Sequence, residues 1–307
     1  MEISTPDLQD ITNMVEEVKP LLKKKFDQLL CNFQELPAWA QDNIYIHTGY
    51  RVPTESYKGC WKSLLYLHNE TGNVYSHLLG AIAFLILGLI TSYYLYSTGS
   101  AQWSDYFVIY AFIATAIFCL VSSALFHLFC CHSESHSKAW NKCDYIGIVF
   151  LIVGSFIPAV YFGFYCENDL KLIYLSSIII LGIATICVSM SDKLSEPGYR
   201  FHRLTLFMGL GLSGLIPLSH SIVRAGISHS FHSLSLNWMT LMGAMYITGA
   251  LIYGFRIPER WYPGKFDFWG HSHQIWHLFV VAAAVFHYVG VLKAFHFHHS
   301  GTYTCQI

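Results

Sequence analysis

From residue 75 to residue 293 the chain repeats one pattern: a run of mostly apolar residues, then a short polar stretch. A helix needs about 20 apolar residues to cross the hydrocarbon of a bilayer. Seven runs qualify, at roughly 75–97, 106–129, 144–165, 171–190, 204–223, 236–255 and 273–293, the fourth and fifth with the least clean edges. The pattern predicts an all-α membrane protein, a seven-transmembrane helix bundle. Ahead of it, residues 1–35 alternate charge with Leu, Val and Phe, which predicts a helix broken near Pro20. Residues 36–62 carry Pro37, Gly49 and Pro53 and read as extended or turn structure. The stretch "YKGCWKSLLYL", 57–67, mixes basic and aromatic side chains. It suits either a helix lying along the inner membrane surface or an ordinary solvated one. Three parts are expected: an N-terminal segment, 1–62, a seven-span domain, 63–295, and a short tail, 296–307.

Composition agrees with a membrane protein. Hydrophobic residues make up 54% of the 307 and charged residues 12%, against about 25% charged in a soluble domain. The net charge of −1 creates no field that would recruit nucleic acid. Lys and Arg set the orientation. Only Lys171, Arg224 and Lys293 fall on the far side, so 15 of the 18 positive charges share the side of the N-terminus. That bias predicts a cytoplasmic N-terminus and a C-terminus outside or in a lumen, the reverse of receptors of the G-protein-coupled type. No short apolar segment opens the chain, so the first span is expected to direct insertion. The nine cysteines contain no CxxC pair and suggest neither a disulfide framework nor a thiolate metal site. Cys166 and Cys305 could pair if their side of the membrane is oxidising.

Orientation also aligns a set of ionisable groups, which are costly in a membrane and usually mark function. His127 and Ser123, one turn apart, lie near the end of the second run, and Asp144 opens the third. His273 and His277, four apart in "HSHQIWH", share one helical face at the start of the seventh. Fixed from Lys and Arg alone, the topology puts all of them at one depth, near the cytoplasmic surface. Three neutral imidazoles and a water make an open zinc site, in which Asp144 would hold or deprotonate the water and Ser123 would add a hydrogen bond. For any single His, interfacial hydrogen bonding is the simpler reading. His271 falls on a different face and is not expected to be a ligand. "HFHH", 296–299, reads as a solvated tail, and His132 and His136 as water-facing. His77, His220 and His287 read as packing or polarity residues at other depths. "GLGLSG", 209–214, matches a dinucleotide fingerprint but sits in an apolar run, without the strand or acidic residue that fingerprint needs. "NET", 69–71, is a glycosylation sequon expected to face the cytoplasm and stay unused.

Five stretches carry a resemblance to a known family. They are "ETGNVYSHLLG" at 70–80, "SSALFHLFCCHSE" at 122–134, "CDYIGI" at 143–148, "GLGLSGLIP" at 209–217 and "RIPERWYPGKFDFWGHSHQIWH" at 256–277. In order, over about residues 40–295, they resemble the progestin and adipoQ receptor family, and within it the adiponectin receptors and their fungal relatives, often called Izh proteins. The last stretch leans to the fungal members. The resemblance implies a seven-helix protein with an inside N-terminus. It also implies a zinc ion held by His127, His273 and His277, with Asp144 and Ser123 beside its water; the pattern S-x3-H, D, H-x3-H is met at each position.

The activity so implied is a slow ceramidase-like one: zinc-dependent hydrolysis of a lipid amide, in lipid metabolism and signalling. A three-His zinc ion acidifies water and polarises a carbonyl, which suits such a reaction. The competing expectation is a receptor whose zinc is purely structural, with an extracellular ligand and a cytoplasmic signalling partner. A channel is the weakest reading, since no charged residue lies mid-span to mark an ion path. The plasma membrane and endomembranes such as the ER or Golgi are equally compatible.

Overall fold

The structure, a computed structural model, describes residues 29–300; the helix expected near Pro20 lies outside the described residues. Among the described residues, seven helices are long and apolar enough to cross a membrane: Thr71–Thr98, Trp103–Phe129, Glu134–Gly163, Asn168–Ser189, Arg200–Ala225, Leu236–Phe255 and Ser272–His299. They are numbered here as spans one to seven. Each overlaps its expected run, and several extend beyond it, because helix continues into polar residues at both ends. Span three begins ten residues early, at Glu134. Span seven continues through His299, so "HFHH" is the helix's last turn and not a solvated tail: His298 is buried, its ring stacked on Tyr165 at 4.4 Å.

Span five is interrupted. Helix runs Arg200–Leu212 and resumes Leu215–Ala225, with a turn at 213–214. Pro217 accounts for the break, since it has no N–H for the Ser213 carbonyl and its ring would clash with that carbonyl in a continuous helix. The Gly209–Gly214 motif thus lies at a helix kink.

The main core cluster joins spans one, two, three and seven through Phe84, Ile109, Phe112, Leu120, Leu151 and Val280. Lipid is as apolar as leucine, so close packing and polar contacts, more than hydrophobicity, bring helices together in a bilayer. Gly147 shows the first: a Cβ there would stand 3.0 Å from the Cys119 backbone, which draws span three against span two. Gly72 does the same between spans one and seven, where a Cβ would meet the Gln274 amide at 2.5 Å.

Residues 29–69 form a strap under the bundle. Leu30–Cys31 pairs antiparallel with Tyr50–Arg51, in a segment expected to be extended or turn. Arg51 is buried; its guanidinium donates to the His127 carbonyl at 2.6 Å and the Leu128 carbonyl at 2.9 Å. The last carbonyls of a helix lack internal donors and carry the negative end of its dipole, so Arg51 caps span two at the residue bearing a candidate ligand. Burial opposes its charge, but the neighbouring Cys130 and Cys131 help hold its pKa above the usual range. At the start of span seven, the fully buried Glu259 accepts from the Ser272 backbone N–H at 2.7 Å, which suits the positive helix end. The helix within 57–67 is short, Tyr57–Lys62, and leaves Tyr57, Trp61, Leu65 and Leu67 exposed. Cys166, between spans three and four, is disulfide-bonded; Cys305 lies outside the described residues.

Candidate metal centre

Two buried helices bring the three expected imidazoles together. His127 comes from the last turn of span two; His273 and His277 come from the first two turns of span seven. One ring nitrogen from each lies within 4.8 Å of the other two, and no other such group of His, Cys, Asp and Glu occurs among the described residues. The ring centroids stand 4.7–4.9 Å apart. His127 and His277 are almost wholly buried, and His273 is partly so.

Asp144 and Ser123 line the same cavity as the three rings. The three histidines named from the sequence converge; Asp144 and Ser123 share their cavity without joining the converging group.

The donor set fits a metal ion by a property of this structure. Nε2 of His127 is buried and has no hydrogen-bond partner, a costly state for a polar atom unless something occupies its lone pair. Three imidazoles with one nitrogen from each near the other two are a donor set that zinc accepts.

Other histidines are placed differently from expectation. His77 is not remote: it stacks on His277 with centroids 3.6 Å apart and planes 9° off parallel. His132 is buried and stacks on His136 at 3.9 Å, so it does not face water. His271 is the residue before span seven, with Nε2 3.2 Å from the Asn69 carbonyl, and it stands outside the converging group. Burial moves its pKa below the usual histidine value. Asn69 of the sequon is itself buried.

Sequence reasoning missed Glu70. Its Oε2 lies 2.7 Å from Nδ1 of His127 and 2.6 Å from Nδ2 of Asn73. The signal was present: Glu70 is an ionisable residue at the start of span one, at the depth where the other groups gather.

The cavity has a volume of about 1230 Å³. From the histidines it extends between spans three, five and six, past Leu151, Phe156 and Met208, to Phe164 and Leu234 at the far end of the bundle.

The sequence profile of the haemolysin-III related family, HlyIII, matches residues 65–288, which run from before span one into span seven. The chain belongs to this family. Among curated relatives, it is 46% identical over 283 residues to the adiponectin receptor protein of Drosophila melanogaster, covering 91% of this chain and 63% of that protein. It is 42% identical over 261 residues to progestin and adipoQ receptor-like protein 1 of Caenorhabditis elegans, covering 84% and 59%. To the ADIPOR-like receptor IZH2 of Saccharomyces cerevisiae it is 38% identical over 276 residues, covering 90% and 87%. The chain thus spans about three fifths of the length of the fly and nematode proteins. The fly protein also matches more closely than the yeast one, against the fungal lean of "RWYPGKFDFWGHSHQIWH". As a member of this family the chain is an adiponectin-receptor-like integral membrane protein.

Proposed function

We propose that the protein is a zinc-dependent hydrolase of lipid amides of the ceramide type. The observation that carries this reading is the convergence of His127, His273 and His277 in the wall of a cavity that Asp144 also lines and that is large enough for acyl chains. The three imidazoles hold the ion. When bound, zinc supplies a Lewis acid that acidifies water and polarises a carbonyl. A lipid chain lies along Leu151, Phe156 and Met208 and leaves its amide near the histidines. Water adds to the amide carbon and the carbon–nitrogen bond breaks. The Asp144 carboxylate takes the proton from the attacking water and returns it to the leaving amine, giving a sphingoid base and a fatty acid. Ser123 keeps the carboxylate oriented.

The same reading puts the N-terminal segment, 1–62, and the zinc site at the cytoplasmic side, and the tail, 296–307, outside or in a lumen. The bias of Lys and Arg supports this, as does the bonded Cys166 on the opposite side, where an oxidising compartment permits disulfides. Relatives are named receptors, which favours a second reading: an outside ligand shifts the helices, the zinc only ties spans two and seven together, and a cytoplasmic partner reads the change.

Asp144→Ala separates the two. With purified protein, zinc content is measured alongside release of fatty acid from a ceramide. Zinc retained with hydrolysis lost, by about 100-fold or more, is the expected result. Hydrolysis unchanged in the variant, or absent from the parent protein, would leave the structural-zinc reading.

A further inference from the structure

The opening turns of span one supply none of the three converging rings, yet they touch two of them. Glu70 Oε2 is 2.7 Å from Nδ1 of His127. Asn73 donates from Nδ2 to that same oxygen at 2.6 Å. The backbone carbonyl of Asn73 is 3.1 Å from Nδ1 of His277, and Ser76 Oγ is 3.2 Å from the same nitrogen. Glu70, Asn73 and His77 follow at i, i+3 and i+7, one face of a helix, and His77 lies flat on His277.

A carbonyl oxygen only accepts hydrogen bonds, and so does an ionised carboxylate. Facing Nδ1, each of these oxygens therefore selects the tautomer with its proton on Nδ1 and its lone pair on Nε2. For His127 the consequence is visible, because its Nε2 is the buried atom left without a partner.

We propose that Glu70 and Asn73 are positioning residues that set, from span one, the tautomer and ring orientation of both His127 and His277. Each ring then presents Nε2 to the ion. Asn73 joins the two halves, since its side chain holds Glu70 and its carbonyl holds His277. The metal centre is thus a product of three helices, though its ligands come from two. This rests on the zinc reading above. Outer partners of ligating histidines typically change metal affinity by about 10–100-fold.

The test is zinc affinity of the purified full chain in detergent, measured by competition with a chromogenic chelator. Melting of the metal-free protein is recorded in parallel. The variants are Glu70→Gln, which removes the charge at constant shape, Glu70→Ala, and Glu70→Asp, which keeps the charge. Thr91→Val is the control. It removes a hydrogen bond to Tyr288 toward the opposite end of the same helix.

The expected result is zinc binding about 10–100-fold weaker in Glu70→Gln, at least as weak in Glu70→Ala, and partly restored in Glu70→Asp. Metal-free melting of Glu70→Gln should match the parent, and Thr91→Val should bind as the parent does. Should Glu70→Ala fail to fold, the isosteric Glu70→Gln carries the measurement. Parent-like affinity in Glu70→Gln overturns the proposal while leaving the zinc reading intact. So does an equal loss in Thr91→Val, which would mark a general loosening of span one. A parent protein that binds no zinc overturns both.

Discussion

Spans two and four are equally apolar, each with a mean hydropathy of 2.3, but they occupy opposite positions in the molecule. In its most apolar stretch, 56% of span two is buried inside the protein, against 22% of span four. Span seven, at 50%, resembles span two, while spans five and six, at 11% and 17%, resemble span four. Hydropathy therefore finds a helix but does not choose its neighbours, because lipid solvates leucine as well as protein does. What separates the inner helices is the converging histidines they carry. His127, His273 and His277 ride on the two most buried spans, and Gly147 and Gly72 bring spans three and one against them. The outer helices carry Ile180 and Ile183, exposed on span four, and Leu215 and Ile216, exposed on span five.

Four experiments would sharpen or break this division. The largest effect is expected from the metal. Zinc at about a thousand times its dissociation constant stabilises the state that binds it by about 4 kcal/mol. Chelation should lower the melting temperature of the parent protein and leave His277→Ala unmoved; equal shifts in both would mean that the inner helices are not organised around an ion. Next is Arg51→Met. It removes charge-assisted bonds to the end of span two, each worth about 1.5–3 kcal/mol, and the loss should appear in thermal unfolding together with weaker zinc binding. A drop in stability without a change in metal affinity would show that the cap does not position His127.

Gly147→Leu should cost about 1–3 kcal/mol by overpacking the contact between spans two and three, and in a hydrolysis assay it should lower activity by displacing Asp144. The smallest effect belongs to the outer helices. Ile183→Ala, on a lipid-facing surface, should change stability by no more than about 0.5 kcal/mol. A loss as large as that of Gly147→Leu would break the distinction between inner and outer helices.

The seven spans were legible because the bilayer imposes one simple length rule, and the three converging histidines because H-x3-H puts two rings on one helical face and the family resemblance adds His127. The edges were not. Polar residues such as Glu134 and His299 continue helices that an apolar count ends early. The break at 213–214 needed attention to Pro217, which the apolar run around it concealed. His77 was assigned another depth although it stands in the second turn of span one; its stacking on His277 depends on how spans one and seven face each other, which no single-helix pattern encodes. Glu70 was overlooked for a related reason. It stands just outside the first apolar run, and its partner His127 is distant in sequence, so only the fold joins them. The strap and the segment before span seven were the least legible parts, since the bonds from Arg51 to span two and from Glu259 to Ser272 follow from tertiary contact, not periodicity.

The most direct test of the central claim is the zinc content of the purified parent protein, with X-ray absorption at the zinc edge to identify its neighbours. One zinc per chain, surrounded by nitrogen and oxygen in the proportion of three imidazoles to one lighter ligand, is the expected result. No bound zinc after purification in its presence, or a first shell containing sulfur, would contradict the assignment of His127, His273 and His277 as a metal centre.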